Sequence, residues 1–161
     1  MPFIRLETYI NAPIELCFDL SRDLDVHIAS AGPTRERAVA GVTSGMVELG
    51  DEITWEATHL GLRQRLTSKI IAYQRPTMFI DEMQQGPFKR WHHKHLFETR
   101  DVETLMIDEV SYASPLGVIG RLVDMLYLEN YMKSFLLRRN AHIKSVAENY
   151  EHNAAHSDSR R

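Results

Sequence analysis

Histidine and aromatic side chains recur at every second position in the first half of the stretch 88–112. Because side chains of an extended strand alternate between its two faces, these groups are expected to lie on one face. They are Trp91, His93, His95 and Phe97. An imidazole among aromatic rings can move a proton, recognise the polar head of a ligand or coordinate a metal ion. This stretch therefore predicts a functional site.

A second run of the same kind extends from Thr104 to Tyr112, beyond a tight turn predicted at Asp101-Val102. Antiparallel pairing about that turn opposes three pairs of residues: His95 with Asp108, His93 with Val110, and Trp91 with Tyr112. The resulting face is too polar for a dry core and too aromatic for a solvated surface. We therefore interpret it as the lining of an internal cavity.

A carboxylate near His95, such as Asp108, would hold the imidazole in one tautomer and favour its charged form. Three roles are possible for this pair. The two groups could satisfy each other's hydrogen bonds as a buried structural pair, they could orient a ligand, or they could act as catalytic residues that transfer a proton. Buried polar groups find partners in most proteins, so the structural role is the default interpretation. The sequence leaves all three open.

Other segments are assigned to the same cavity because they mix apolar and titratable groups. The run before Gly61 contributes Asp51, Ile53, Trp55, Ala57 and His59. The long C-terminal helix contributes either ordinary core or an apolar wall, through Leu122, Met125, Leu126 and Met132. A turn formed by Gly86, Pro87 and Phe88 is interpreted as a hairpin connector that could also gate the cavity mouth.

The H-x-H arrangement of His93 and His95 could supply two ligands of an open zinc site, with His59 or His27 as the third. Nothing in the sequence fixes that third ligand, and the sole cysteine, Cys17, lies elsewhere. No metal is therefore predicted. No cofactor is predicted either, since the glycines of residues 41–50 lack the spacing and the lysine of a P-loop.

Composition narrows the class of protein. A chain of 161 residues can bury the core of one domain without disulfides, and a single cysteine favours a reducing compartment. With a net charge of -3 and dispersed basic residues, no nucleic-acid partner is expected. The first residues alternate instead of forming an apolar block, and no run approaches the ~18 apolar residues of a membrane span. We predict a cytoplasmic protein without a membrane span. The sequence does not indicate its oligomeric state.

The order of extended and helical patterns predicts an α+β domain over residues 1–150. A first strand at 3–10 precedes two short helices at 14–20 and about 23–29 and a modest strand at 34–40. An antiparallel meander of runs follows at 51–60, 62–73, 78–84, 88–98 and 104–112. A long helix then begins at Ser114-Pro115, around which the curved sheet is expected to wrap. Residues 151–161 are predicted to form a disordered tail.

Five segments resemble bacterial stand-alone members of the START-related SRPBCC superfamily. They are RDLDVH (22–27), AVAGVTSG (38–45), GDEITWEATHLG (50–61), QGPFKRWHHKHLFE (85–98) and SPLGVIGRLVD (114–124). The likeness covers roughly residues 3–148 and implies the helix-grip fold, in which a ligand lies between the concave sheet and the long helix. The superfamily includes polyketide cyclases and dehydrases, lipid-transfer domains and plant ligand binders, so the fold alone does not name an activity.

The leading hypothesis is a binding module that encloses a small hydrophobic or aromatic molecule. Burial would come from Trp55 and Trp91, and orientation from His95, Asp108 and Tyr112. The resemblance implies two alternatives. One is a cyclase or dehydrase-type enzyme in which His95 moves a proton and Asp108 orients it. The other is a protein-interaction role, since some similar proteins are labelled as cell-division inhibitors.

Overall fold

The computed structural model describes residues 2–59, 61–113 and 127–158. In chain order its elements are β1 (Phe3–Ile10), α1 (Ile14–Ser21), α2 (Leu24–Ser30), a short 3-10 turn (Gly32–Thr34), β2 (Arg37–Gly41), β3 (Glu52–His59), β4 (Leu62–Gln74), β5 (Met78–Gln85), β6 (Arg90–Arg100), β7 (Glu103–Ala113) and α3 (Glu129–Asp158). The predicted order of strand, two short helices, meander and long helix is confirmed.

The seven strands form one open antiparallel sheet in the order β1-β7-β6-β5-β4-β3-β2. Strands β2 to β7 follow one another as a meander, and β1 joins the sheet beside β7. Register shifts interrupt the ladders of β2 with β3 and of β4 with β5, and such bulges bend a sheet. Helix α3 contacts β1, α1 and α2 across the curved sheet.

Local sequence accounts for the short helices. Pro13 precedes the first turn of α1, where its missing N–H is not needed. Asp23 caps α2 by accepting hydrogen bonds from the backbone N–H groups of Asp25 and Val26, at 2.8 and 3.3 Å. The strand expected at 34–40 begins only at Arg37, because Thr34 belongs to the preceding 3-10 turn and its hydroxyl donates to the Ala31 carbonyl.

Helix α3 continues to Asp158, into the segment 151–161 for which a disordered tail is predicted. Alanines at 154 and 155 have high helix propensity, and each residue added to an existing helix gains one hydrogen bond, so no apolar periodicity is needed for the extension. The predicted helix start at Ser114-Pro115 lies outside the described residues. None of the described helices combines the length and hydrophobicity needed to cross a membrane.

Two apolar clusters hold the layers together. In the first, Phe18 of α1 meets Tyr73, Phe79 and Phe97 edge-on, with ring centroids 5.3 to 5.6 Å apart. The second joins β1, β6 and β7 to α3 through Ile4, Trp91, Val110, Tyr112, Met132 and Leu136. Both clusters belong to the same face of the sheet, and the candidate site lies along that face.

Gly41 at the end of β2 makes a close backbone approach. Its φ is +72°, and a Cβ atom there would overlap the backbone carbonyl oxygen of Glu52 on β3. Gly45 has a similar φ of +74° but open space around it. Comparing an alanine substitution at each glycine therefore distinguishes the free-energy cost of a positive φ from the cost of a steric clash in the sheet.

We predict that Gly41→Ala lowers the free energy of unfolding by more than about 3 kcal/mol, because clash and positive φ act together. Gly45→Ala should cost about 1 kcal/mol, since only the backbone conformation opposes it. Urea unfolding followed by circular dichroism measures both values. Equal losses in the two variants would contradict the close approach of β2 to β3.

Candidate functional site

A cavity of about 190 Å³ lies between the concave face of the sheet and α3 among the described residues. For comparison, a cavity of roughly 150 Å³ is enough to hold benzene in a protein core. Its apolar lining includes Ile53, Ile70, Phe79, Trp91, Met132 and Leu136. Its polar lining includes His27, Glu36, Asp81, His93, His95 and Arg139.

Four side chains on three neighbouring strands form what we call the His-Asp cluster: Asp81 on β5, His93 and His95 on β6, and Asp108 on β7. Strand register brings them together, because Asp81 lies opposite His93 and Asp108 lies opposite His95. The register predicted for β6 and β7 from the sequence is confirmed at all three pairs. Alternation along β6 places both imidazoles on the concave face.

Of the two histidines of β6, the one closer to Asp108 is not the residue directly opposite. Asp108 Oδ1 lies 2.7 Å from His93 Nε2, a hydrogen bond that runs diagonally between the strands. His95 Nδ1 lies 3.1 Å from the same oxygen, but the contact lacks hydrogen-bond geometry. His95 Nε2 instead lies 3.1 Å from Asp81 Oδ2. The predicted His95–Asp108 pair is therefore part of a larger arrangement.

Asp108 is the anionic centre of the cluster. Burial alone would raise its pKa, but the contacts from His93 and His95 outweigh burial and hold the pKa well below its usual value. Asn140 of α3 donates a 2.6 Å hydrogen bond to the other carboxylate oxygen, and its amide also reaches Thr8 on β1 at 3.3 Å. An ionised Asp108 accepts from both neighbours, so His93 donates through Nε2.

His93 is neutral near pH 7. Burial lowers its pKa to about 4, and the adjacent imidazole of His95 acts in the same direction against the two carboxylates. The pKa of Asp81 is also lowered: burial would raise it, but contacts with His95 and His93 outweigh that effect. The cluster thus holds two carboxylates and at least one neutral imidazole.

Two further histidines line the cavity, but their hydrogen bonds are with residues outside the His-Asp cluster. The ring of His27 stacks on Trp55 at 4.3 Å, and its Nε2 lies 2.9 Å from Glu36 Oε2. His59 Nδ1 lies 2.8 Å from the hydroxyl of Tyr131 on α3. The two histidines considered from the sequence as a possible third zinc ligand therefore have other hydrogen-bond partners. Among the described residues, Asp81 contacts both His93 and His95 from the cavity side, and the three residues bring one possible ligand atom each to within 4.8 Å of one another.

Seven of the fifteen predicted ligand-binding and gate residues lie at the cavity: Trp55, His59, Pro87, Phe88, Trp91, His93 and His95. Asp108 lies behind the two imidazoles and reaches the cavity only through them. Leu122, Met125 and Leu126 lie outside the described residues. Whether Gly86, Pro87 and Phe88 act as a gate stays a prediction, although Gly86 packs so closely that a Cβ atom would lie 2.5 Å from Met83 Sδ.

Three predicted ligand-binding residues lie away from the cavity lining. Asp51 precedes β3, and its carboxylate accepts a 2.8 Å hydrogen bond from the Glu48 backbone N–H. Phe97 is buried against Phe18, because α1 covers that end of β6. Tyr112 is fully buried in the second apolar cluster. Alternation places a side chain on a face, but packing by other elements decides whether it reaches the cavity.

Sequence reasoning missed Asp81, Asn140 and Arg139. A signal existed for Asp81, because extending the pairing argument to the hairpin of β5 and β6 would set it against His93. Asn140 also carried a signal, since it interrupts the apolar stripe of α3 between Leu136 and Ile143. A polar residue on such a stripe is expected to meet a buried partner.

Comparison with known proteins supports the fold. No protein-family model matches the chain, and a search of curated proteins finds no match. Protein TTHA0849 from Thermus thermophilus is 18% identical with a TM-score of 0.72, and the match covers 91% of this chain and 99% of that chain. Major latex-like protein 151 from Panax ginseng is 13% identical with a TM-score of 0.66, covering 91% and 97%.

Protein Ms6760 from Mycobacterium smegmatis gives a third match, 17% identical with a TM-score of 0.65 and covering 89% of each chain. At such identities the likeness concerns the fold alone. Together with the curved seven-stranded sheet and the long C-terminal helix, these matches show that the chain has the helix-grip fold that the resemblance to the SRPBCC superfamily implies.

We predict that Asn140→Ala lowers the free energy of unfolding by about 1–3 kcal/mol, because it leaves a buried oxygen of Asp108 without its donor. Asn149→Ala on the same helix is the matched control, since Asn149 is exposed and makes only a 3.4 Å contact with Ser145. Its effect should stay within about 0.5 kcal/mol. Thermal or urea unfolding gives both values, and a loss in Asn140→Ala no larger than in the control would contradict the network.

Proposed function

We propose that this protein binds a small, largely apolar or aromatic molecule in the cavity between the sheet and α3. The observation that carries the proposal is the division of the cavity wall into apolar and polar parts. Aliphatic and aromatic side chains provide burial, which supplies most of the affinity for such ligands. Convergent polar groups provide orientation, as is typical of small-molecule sites.

Arg139 supports a ligand that carries an oxygen acceptor. Its side chain is buried and lines the cavity, and its Nη2 donates a 3.2 Å hydrogen bond to the Ser21 carbonyl. Its Nε has no hydrogen-bond partner in the part of the chain that the structure describes. An unsatisfied buried donor costs about 1–3 kcal/mol. A carbonyl or carboxylate oxygen of a ligand would recover that energy.

A cyclase or dehydrase-type enzyme is the second candidate function, and it stays a prediction. It is favoured by the position of His95, which lines the cavity and contacts a carboxylate through each ring nitrogen. In that function His95 would exchange a proton with the bound molecule. Asp108 would act through His93 as well as through His95, since the shorter contact is with His93. The protein-interaction alternative also stays a prediction.

Filling the cavity tests the proposal. Ala57 of β3 lines the cavity, whereas its neighbour Thr58 is exposed on the opposite face of the sheet. We predict that the neutral two-ring fluorophore 2-naphthol binds the wild-type protein saturably and that Ala57→Leu weakens binding at least about tenfold, because the added side chain occupies ligand space. Thr58→Leu should leave the dissociation constant unchanged. Fluorescence titration measures both.

The proposal fails if the folded wild-type protein shows no saturable probe binding, or if Ala57→Leu and Thr58→Leu bind it alike. Circular dichroism verifies that both variants are folded. Mass spectrometry of natively purified protein provides an independent measurement, in which a copurifying aromatic or lipid-like compound is the expected result.

A further inference from the structure

Three donor atoms of the His-Asp cluster converge on one point at the cavity wall. Asp81 Oδ2 lies 3.1 Å from His95 Nε2 and 3.6 Å from His93 Nδ1, and all three atoms lie within 4.8 Å of one another. Metal–ligand bonds of about 2.0–2.2 Å separate neighbouring donors of a tetrahedral site by roughly 3.3 Å. The observed spacing therefore needs only small side-chain movements to close around an ion.

The contacts leave one nitrogen of each imidazole facing Asp81. His93 Nε2 is bonded to Asp108 Oδ1, so Nδ1 is the ring nitrogen that remains to face Asp81 Oδ2. His95 Nε2 faces the same oxygen of Asp81, while its Nδ1 lies beside Asp108. An ion at this point would therefore be reached by one nitrogen from each ring and by one carboxylate oxygen.

A metal ion bound by His93 Nδ1, His95 Nε2 and Asp81 Oδ2 would lie between atoms that now face one another across 3.1 and 3.6 Å. The second nitrogen of each imidazole then faces Asp108 Oδ1: His93 through its existing 2.7 Å hydrogen bond, and His95 across 3.1 Å, where the ring must rotate to form one.

The surroundings match those of a built metal site. Histidine ligands in proteins commonly donate their second N–H to a carboxylate, which fixes the ring orientation and tautomer. Asp108 accepts from His93 in this way and lies 3.1 Å from the second nitrogen of His95, and Asn140 holds its other oxygen at 2.6 Å. Asp108 and Asn140 are thus positioning residues, whereas the three ligands line the cavity themselves.

We propose that Asp81, His93 and His95 bind one divalent first-row transition-metal ion at the cavity wall, with Asp108 orienting both imidazoles. Two imidazoles and one carboxylate suit Zn²⁺, Fe²⁺ or Co²⁺. Three protein ligands leave coordination positions free, and because these residues line the cavity, those positions face the ligand space. The site goes beyond ligand binding by burial, since an apolar molecule needs no metal to enter the cavity.

Co²⁺ is the probe that tests the site directly, because its visible absorption reports coordination by nitrogen and oxygen ligands. The chain offers matched controls on the opposite face of the same two strands: Glu82 and His92, which pair at 2.9 Å. Chelator-treated wild-type protein, Glu82→Gln and His92→Gln are expected to bind one equivalent of Co²⁺ with the same spectrum. Asp81→Asn and His95→Gln should lose at least about tenfold in affinity.

Zn²⁺ provides a second readout that includes a check of folding. Unfolding temperatures measured with and without Zn²⁺ should rise for the wild type and for Glu82→Gln, but not for Asp81→Asn. Asp108→Asn should lose roughly 10–100-fold in Zn²⁺ affinity and alter the Co²⁺ spectrum, an effect that loss of stability alone would not produce. If Asp81→Asn does not fold, His95→Gln gives the same comparison.

The proposal is overturned if the folded wild-type protein binds neither Co²⁺ nor Zn²⁺ near one equivalent, or if the ligand variants bind as tightly as the controls. Probe binding by metal-free protein, compared between Ala57→Leu and Thr58→Leu, is measured separately. Failure of the metal site and failure of the cavity function are therefore distinguishable.

Discussion

The pairing of β6 with β7 is the constraint on which the candidate site depends. Its register runs without a shift from Arg90 opposite Ala113 to Arg100 opposite Glu103. Alternate residues of both strands therefore stay on the concave face along the whole ladder. A slip by one residue would turn His93 and His95 to the outer face, where His92 now lies beside Glu82. The tight turn at Asp101, with its φ of 54°, is where this register begins.

A buried carboxylate connects the layers of the fold at the same place. Asp108 of β7 accepts hydrogen bonds from His93 of β6 and Asn140 of α3, and Asn140 reaches Thr8 of β1. An apolar core at this position would be easier to stabilise, since burying charge carries a desolvation cost. Ionisable groups that are buried and grouped at a cavity are more typical of functional sites than of simple cores. The network also explains why one polar residue interrupts the apolar stripe of α3.

The cavity combines two kinds of surface that serve different purposes. Apolar side chains from the sheet and from α3 exclude water and so strengthen electrostatic interactions at the polar wall. Arg139 lines the cavity together with Asp81, His93 and His95 of the His-Asp cluster, which is why we propose a ligand with an oxygen-bearing polar group on an otherwise apolar body. The helix-grip fold supplies the space between sheet and helix, but these particular residues decide its chemistry.

Local sequence was sufficient for the order of the elements and for the register of the central hairpin, though not for the start of β2 or the end of α3. Alternation with period two placed His93, His95 and Asp108 on one face, and the turn at Asp101-Val102 aligned them, because both depend only on neighbours along two strands. Asp23 likewise capped α2 through atoms two and three residues away. The segment resemblance to the SRPBCC superfamily correctly implied the layered arrangement.

Tertiary structure decided which of these side chains form a site. Helix α1 covers Phe97, and the second apolar cluster encloses Tyr112. Helix α3 brings Asn140 and Arg139 to the sheet. A second carboxylate beside both imidazoles, Asp81, came from the adjacent strand β5. Alternation assigns a side chain to a face but not to a partner. Distances between ligand atoms follow from sheet curvature and helix packing, which residues far apart in the chain set together.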